Sequence, residues 1–398
     1  MLGSPRVIAI DDNSEHLSGL TDGLNRRGVA CLQIHFTGDP GGVVACPDVR
    51  IVFADLHLGL GNPSDHKANF SMIGGLLRDT IKPRGPYLII LWTRFPEQAE
   101  ALRDFLDRPD SGVPKPFDVR PLSKTNHLDA QGCVVDEGAL VNAVVAIVRE
   151  SPQLAALFDW ESRVLGATGG TVSSILELAA TDDEGARAVE LGKILSRLAV
   201  EAVGARNVEA DRFRAVNEAL LPILADRIAK LQAGDGEEEI WHSALQSAVD
   251  LPSLRLEGAA KLNSLVHIAE TGTADGTERG VAVRLSKSYQ RRFERCFGLT
   301  QEDAAAREFR CNNFDGTDHR FSWVLVQCAA ACDHAQVNPG TMPFYLGLDF
   351  PEEHQSSRKP PASTWCGPAF HFDGQIRVLR VSARFPLALW SCPAFTDG

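Results

Sequence analysis

The chain lacks the short motifs that identify several common enzyme and metal-binding classes. It contains no GxxxxGK[ST] phosphate-binding loop, no GxSxG nucleophile elbow and no CxxC cysteine pair. These absences argue against P-loop nucleotide hydrolases, α/β-hydrolases and zinc fingers, because each of those sites needs its residues at that spacing. Without a convincing helix-turn-helix segment there is also no positive argument for a DNA-binding output. Protein contact is therefore the expected output.

Long apolar runs and an excess of positive charge are missing as well. No stretch has the roughly 20 apolar residues needed to cross a membrane, and the chain opens with a strand-like segment, so we expect no signal peptide and a cytoplasmic protein. The net charge of -12 disfavours a nucleic-acid partner. Nine cysteines, an odd number without regular spacing, predict reduced thiols rather than disulfides.

The first third of the chain does contain four apolar runs that each end in a polar residue. The Asp11-Asp12 pair, Asp55, Thr93 and Lys124 follow the runs 7–10, 51–54, 88–92 and 119–122. In an open parallel α/β sheet the carboxyl ends of the strands converge on one crevice. We therefore expect three carboxylates, a hydroxyl and an ammonium group to meet in space.

These residue types suit a magnesium-dependent phosphoacceptor site. Asp11, Asp12 and Asp55 form the oxygen-rich acidic cluster that a hard cation such as Mg²⁺ requires. Asp55 is the expected nucleophile, whose attack on phosphorus gives an acyl phosphate. Thr93 and Lys124 are expected to bind phosphoryl oxygens, the hydroxyl as a donor and the ammonium as a point charge.

Two of these segments resemble the receiver domain of two-component response regulators over about residues 5–150. The run Ile8-Ala9-Ile10-Asp11-Asp12-Asn13 is similar to the first strand and acidic pair of that family, and Phe53-Ala54-Asp55-Leu56-His57-Leu58 is similar to its acceptor strand. The resemblance implies a doubly wound, five-stranded, flavodoxin-like fold. It also implies phosphorylation of an aspartate by a histidine-kinase-like partner, with Mg²⁺ as the cofactor.

The resemblance assigns a role to each matching position. Asp11 and Asp12 correspond to metal ligands, Asp55 to the phosphoacceptor and metal ligand, and Thr93 to the switch hydroxyl. The backbone carbonyl of His57 corresponds to a further magnesium ligand.

Two lysines compete for the remaining pocket position, because the family lysine is normally followed by proline. Lys115 precedes a proline, whereas Lys124 follows the better strand pattern. We favour Lys124, since residues 109–116 hold too many prolines and glycines for a central strand. Pro121 and Gly112 stand where the family often has an aromatic residue, three positions before the lysine, which predicts an altered or absent output switch.

A long loop follows the predicted acceptor strand. The stretch Gly59 to Ser71 is rich in loop-forming residues and predicts a flap that restricts access to Asp55. The main alternative is a degenerate receiver that keeps the fold without the phosphorylation chemistry and acts as a constitutive scaffold.

The middle of the chain, residues 151–275, changes to helical periodicity and predicts a connector or bundle that could form a homodimer. The pattern predicts a helical stripe with a break at Gly169-Gly170, helices over 185–202, 209–232 and 256–270, and an acidic hinge at 235–239. The segments Trp160-Glu161-Ser162-Arg163-Val164 and Lys261-Leu262-Asn263-Ser264-Leu265 resemble signatures of large bacterial proteins of conflict or phage-defence systems. That resemblance implies a kinase-like or ATPase partner.

The last segment, residues 280–398, predicts a β-rich or α+β module. Strand patterns occupy 281–285, 321–327, 343–348 and 376–383. After the second of these comes a patch whose chemistry-bearing residues are Cys328, Cys332, Asp333 and His334.

Three interpretations of this patch remain open. Its cysteines and His334 could bind Zn²⁺ together with Cys311, Cys366 or His371. Alternatively, Cys332 could be a thiol nucleophile with a histidine base. The favoured interpretation is a strand end at which small residues pack and Asp333 caps a turn.

The sequence as a whole predicts a signalling protein with three parts: a receiver-like domain (1–150), a helical connector (151–275) and a C-terminal module (280–398). Phosphorylation of Asp55 is expected to regulate the module through protein contacts. The rival hypotheses are the constitutive scaffold and a cysteine- or zinc-dependent effector enzyme.

Overall fold

The computed structural model describes residues 3–38, 45–59, 66–82, 84–179, 184–234, 236–245, 254–268, 280–328 and 341–390. The chain divides into two compact units, 1–249 and 250–398. The boundary predicted at residue 150 therefore lies inside the first unit, and the helical region is shared between the two.

The first unit is built around a five-stranded, all-parallel sheet with the strand order β2-β1-β3-β4-β5. Its strands are β1 (Val7–Asp11), β2 (Cys31–His35), β3 (Ile51–Ala54), β4 (Leu88–Thr93) and β5 (Asp118–Ser123). All residues of β1 and β4 are buried, as expected for central strands of a sheet covered on both faces.

Four helices cover the two faces of this sheet. They are α1 (Ser14–Arg26), α2 (His66–Thr80), α3 (Ala99–Leu106) and α4 (Glu137–Arg149). Because side chains alternate along a strand, Ile8 and Ile10 join the core with α2 and α3, whereas Val7 and Ala9 join the core with α1 and α4. The predicted α/β class and parallel sheet are confirmed.

Among the described residues of the first unit, five further helices follow: α5 (Pro152–Leu178), α6 (Glu184–Val203), α7 (Ala205–Ala210), α8 (Arg212–Lys230) and α9 (Glu237–Ala244). The predicted break at Gly169-Gly170 is wrong, because α5 continues through both glycines. A Cβ atom on Gly170 would lie 3.0 Å from Nη1 of Arg227 on α8. The glycine thus allows close helix packing, and Arg227 also donates to Ser174 Oγ at 2.6 Å.

Two other expectations for this region are corrected. The single helix predicted over 209–232 is interrupted at Asp211, whose carboxylate accepts the Arg214 N–H and caps α8. Of the predicted hinge at 235–239, Asp235 lies outside the described residues, and residues 237–239 are instead the start of α9, which follows Gly236 in the left-handed region (φ 78°). Glu237, the first residue of α9, accepts a 2.6 Å hydrogen bond from the Gly234 N–H.

Ion pairs attach α5 to the parallel sheet and to α9. The Glu161 carboxylate binds Arg6, just before β1, at 2.7 Å and Arg50, just before β3, at 2.8 Å. Arg163 lies 2.8 Å from both Asp159 and Glu237 and so connects α5 to α9. These contacts join the helices to the sheet within one unit.

Within the described ranges, no helix alone is both long and apolar enough to cross a membrane, and only α4 and α5 together, bent by 114°, reach that length and composition.

The second unit contains a six-stranded antiparallel sheet, so the predicted β-rich or α+β character of this region is confirmed. The sheet order is β10-β11-β8-β7-β6, with β9 paired to β11. The strands are β6 (Ala282–Arg284), β7 (Ser322–Gln327), β8 (Thr341–Pro351), β9 (Thr364–Cys366), β10 (Phe370–Phe372) and β11 (Gln375–Trp390), and the helices are α10 (Leu256–His267), α11 (Lys287–Gln290), α12 (Phe293–Phe297) and α13 (Gln301–Asp303).

Polar contacts position two helical elements on this sheet. On α10, Asn263 donates to the Ala369 carbonyl, and Ser264 exchanges hydrogen bonds with the backbone of His371 at 2.7 and 2.8 Å. A π-helical turn, Ala304–Glu308, ends in a buried carboxylate.

The buried Glu308 carboxylate attaches that turn to β9 and β11. It accepts hydrogen bonds from Ser382 at 2.6 Å, Thr364 at 2.9 Å and Ser363 at 3.0 Å, and it lies 3.2 Å from Arg384. Burial alone would raise the pKa of Glu308, but these donors hold it below its ordinary value. The carboxylate is therefore a fully bonded structural group.

Candidate functional site

Three carboxylates meet at the carboxyl edge of the parallel sheet. Asp11 ends β1, Asp12 follows it, and Asp55 comes directly after β3. Because β1 and β3 are adjacent and parallel, with Ile10 opposite Ala54, their ends lie side by side. One oxygen of each carboxylate lies within 4.8 Å of the others. Strands β2 and β3 lie on opposite sides of β1, and the carboxyl edge beside such a reversal of strand order is the usual place for a crevice.

Backbone N–H groups orient the three carboxylates. Asp11 Oδ1 accepts the Asn13 N–H at 2.9 Å, and Asp55 Oδ1 accepts the Leu56 N–H at 2.8 Å. Asp12 Oδ2 accepts the Gly59 N–H at 2.9 Å. Gly59 has φ 90°, a conformation that glycine adopts more readily than other residues. A glycine therefore suits the turn that places this N–H beside Asp12.

The Lys124 ammonium group bridges two of the carboxylates. Lys124 follows β5, and its Nζ lies 2.6 Å from Asp11 Oδ2 and 3.0 Å from Asp55 Oδ2. Its side chain is only 4% exposed, so water screens these charges poorly. Lys115 lies elsewhere, on the surface beside Asp107 at 3.2 Å.

Burial makes Asp55 a weaker acid than an ordinary aspartate. Desolvation raises the pKa of its carboxyl group from 3.8 to about 6, and the nearby Asp11 carboxylate acts in the same direction. The Lys124 ammonium opposes this rise, but it does not cancel it. The ionised carboxylate of Asp55 is consequently a high-energy group that a further cation would stabilise.

Thr93 and His57 lie at neighbouring strand ends. Thr93 ends β4, is fully buried, and is opposite Ser123, the residue before Lys124. Its Oγ1 accepts the Phe95 N–H at 3.2 Å, which leaves the hydroxyl hydrogen available for another acceptor. The half-buried His57 ring meets the Phe95 ring edge to face, with 4.9 Å between centroids. The sequence did not indicate Phe95 as part of this region.

The predicted flap is partly helical. Helix α2 begins at His66, so the second half of the stretch Gly59 to Ser71 is helix rather than loop, and residues 60–65 lie outside the described part of the chain. The apolar residues Phe70, Ile73 and Leu77 pack into the core and account for the helix.

The C-terminal patch can be placed only in part. Cys332, Asp333 and His334 lie outside the described residues, whereas Cys328 is exposed at the end of β7. The other possible ligands are dispersed among different surroundings: Cys311 is buried in the core, Cys366 lies on β9 and His371 on β10. Among the described residues of the second unit, no three such side chains are close enough to hold a metal. The interpretations of this patch remain predictions.

The N-terminal cluster has the composition of a divalent-cation site. Its donors are hard carboxylate oxygens. One oxygen of each residue accepts a backbone N–H, and the second oxygen of Asp11 and of Asp55 pairs with Lys124. The three carboxylates and the one ammonium carry a formal excess of two negative charges, which a divalent cation would balance.

No protein-family model matches the chain, and a search of curated proteins found no match.

Proposed function

We propose that the first unit is a receiver of the response-regulator type and that Asp55 accepts a phosphoryl group in a Mg²⁺-dependent reaction. The observation that carries this proposal is the buried Lys124 ammonium bridging Asp11 and Asp55, with Asp12 beside them, at the carboxyl edge of a parallel sheet ordered β2-β1-β3-β4-β5. A structural ion pair would need only one carboxylate. The surplus of acidic oxygens around one lysine favours a site that handles a cation and a phosphoryl group.

The residues present fit a magnesium ion. Asp11, Asp12 and Asp55 would hold it through carboxylate oxygens, with the backbone carbonyl of His57 as a further ligand. When bound, Mg²⁺ would supply positive charge that lets an anionic phosphoryl donor approach the carboxylates.

The side chains around Asp55 have distinct roles in this proposal. The Leu56 N–H holds Oδ1, so Oδ2, now paired with Lys124, is the oxygen that attacks phosphorus. As the new O–P bond forms, the bond from phosphorus to the donor breaks and the donor leaves. Lys124 then pairs with a phosphoryl oxygen, and the Thr93 hydroxyl donates to another.

The phosphoryl donor is proposed to be a histidine-kinase-like or ATPase-linked partner, and the output to be a change in protein contacts. The ion pairs of Glu161 with Arg6 and Arg50 support the helical region as the part that responds, because they tie α5 to the two strands that carry the acidic residues.

Intact-mass measurement after incubation with acetyl phosphate and Mg²⁺ tests the proposal. The native chain should gain one phosphoryl group, and Asp55→Asn should gain none. Asp79→Asn, which changes an exposed aspartate on α2, is the matched control and should behave like the native chain. If the native chain binds Mg²⁺ but gains no phosphoryl group from acetyl phosphate or a histidine-phosphorylated donor domain, the site is a relic and the constitutive scaffold is the better explanation.

A further inference from the structure

A cavity of the first unit lies at the opposite end of the parallel sheet from the carboxylates. It has a volume of about 340 Å³ and a mostly apolar lining. The first residues of β1 and β3, Val7 and Ile51, form one wall, and valines of α4, including Val144 and Val148, form another. Helices α5 and α9 close it. The volume falls within the range of small-molecule sites in proteins.

Three charged side chains complete the lining, and two of them, Asp159 and Glu237, already have bonding partners. Asp159 and Glu237 both pair with Arg163 at 2.8 Å, and Asp159 also accepts the indole N–H of Trp241. Glu237 accepts the Gly234 N–H as well. The two carboxylates thus share the charge of Arg163 and accept neutral N–H donors, and neither forms an ion pair with Arg149.

The third charged group, Arg149, is an exposed side chain in the last turn of α4, and it has no ion pair or hydrogen bond with any described residue. Its Nη2 lies 3.7 Å from the position that a Cβ on Gly236 would occupy, so the glycine leaves room for the guanidinium beside the cavity. An unpaired guanidinium next to an apolar space is complementary to a molecule with an apolar body and an anionic head.

We infer that this cavity binds a medium-chain monocarboxylate, with the alkyl chain among the valines and the carboxylate on Arg149. The site is separate from the proposed phosphoacceptor site and does not depend on it. An amine would meet the unpaired arginine with like charge, whereas an alcohol would fill the cavity without using the arginine. The head group therefore distinguishes the ligand classes.

Calorimetric titration of the full chain with octanoate, hexanoate, octanol and octylamine tests the inference. Octanoate should bind more tightly than octanol, and octylamine should bind weakest. Because each buried methylene contributes about 0.8 kcal/mol, or about fourfold in affinity, hexanoate, which is two methylenes shorter, should bind roughly fifteenfold more weakly than octanoate. Failure of octanoate to bind, or tighter binding of the amine, would overturn the assignment.

Two variants with matched controls locate the site. Arg149→Gln should remove the advantage of octanoate over octanol, whereas Arg187→Gln, on the exposed surface of α6, should preserve it. Val145→Trp should fill the cavity and abolish binding of both ligands. Val145 is 40% exposed and Val172, on α5, is 50% exposed, so Val172→Trp is a control of similar folding risk. Unchanged binding in Val145→Trp would place the ligand elsewhere and refute the inference.

Discussion

Lys124 and Asp11 form a buried ion pair with 2.6 Å between Nζ and Oδ2, although 113 positions separate them in the chain. Both side chains are at most 4% exposed. Such a pair brings two charges out of water at a considerable cost, and it is stable only while both partners are present. The second carboxylate on the same lysine, Asp55, makes the arrangement sensitive to any change of charge.

Removing the lysine charge should destabilise the first unit strongly. In Lys124→Met two carboxylates remain buried without their cation, so the free energy of unfolding should fall by about 3 to 5 kcal/mol. Lys115→Met is the matched control, because Lys115 is 71% exposed, and it should change stability by less than about 0.5 kcal/mol. Urea unfolding of both variants without Mg²⁺ measures the difference. Equal effects would show that Lys124 does not carry this ion-pair energy.

The raised pKa of Asp55 predicts a pH-dependent gain of stability in Asp55→Asn. Burial, opposed by Lys124 and reinforced by Asp11, raises this pKa from 3.8 to about 6, so the folded chain binds more protons than the unfolded chain between those values. The native chain therefore loses stability as pH rises through this window, and the uncharged amide does not. The free energy of unfolding of Asp55→Asn should exceed that of the native chain by about 2 to 3 kcal/mol at pH 7.5, and by less at pH 4.5.

Chemical denaturation in the presence of a chelator checks this pH dependence. Asp79→Asn provides the comparison for loss of one exposed carboxylate and should show no such trend. A variant that is less stable than the native chain at pH 7.5 would mean that the ionised Asp55 is favourably solvated in the folded protein.

Magnesium should stabilise the first unit through the acidic cluster. At a concentration one hundred times its Kd, a ligand that binds only the folded state adds about 2.7 kcal/mol, which raises the Tm. Asp12→Asn removes one ligand and one charge and should abolish most of this increase. Asp22→Asn, an exposed position on α1, should leave it intact. Differential scanning calorimetry with and without Mg²⁺ gives the result, and an identical shift in both variants would place the cation elsewhere.

The strand ends were predictable from sequence because each one combines an apolar run with a polar residue at its carboxyl end. This pattern indicated Asp11, Asp55, Thr93 and Lys124, and the proline content of residues 109–116 correctly excluded a strand there. Strand β2 has no such signal, because three of its five residues are exposed at the edge of the sheet. The short strands β9 and β10 are equally difficult to predict from sequence, since a strand of three residues shows almost no periodicity.

The unit boundary could not be predicted because it depends on contacts between distant residues. Nothing near Glu161 in sequence indicates that it pairs with Arg6 and Arg50, yet those pairs join the helices to the sheet. Gly170 gave a misleading signal for a similar reason. A glycine inside a helical pattern suggests a break. Here, however, the position lacks a side chain because Arg227 packs closely against it.

The last prediction concerns the attachment of α5 to the sheet. Burial would raise the pKa of Glu161, but hydrogen bonds from Arg50 and Arg6 hold it below its ordinary value of 4.5. These contacts therefore stabilise the fold at neutral pH, and their contribution should disappear as pH falls below about 4.5. Glu161→Gln should lower the free energy of unfolding by about 1 to 3 kcal/mol at pH 7, because it leaves two arginines without their carboxylate.

Hydrogen exchange gives the more specific test of this attachment. In Glu161→Gln the amides of α5 and those at the start of β1 and β3 should exchange faster, because the helix and the strands lose their shared carboxylate. Glu177→Gln changes an exposed carboxylate on the same helix and is the matched control. If exchange increases only along α5 while the strands stay protected, the helix frays independently. The ion pairs would then not couple the helical region to the strands that carry Asp11 and Asp55.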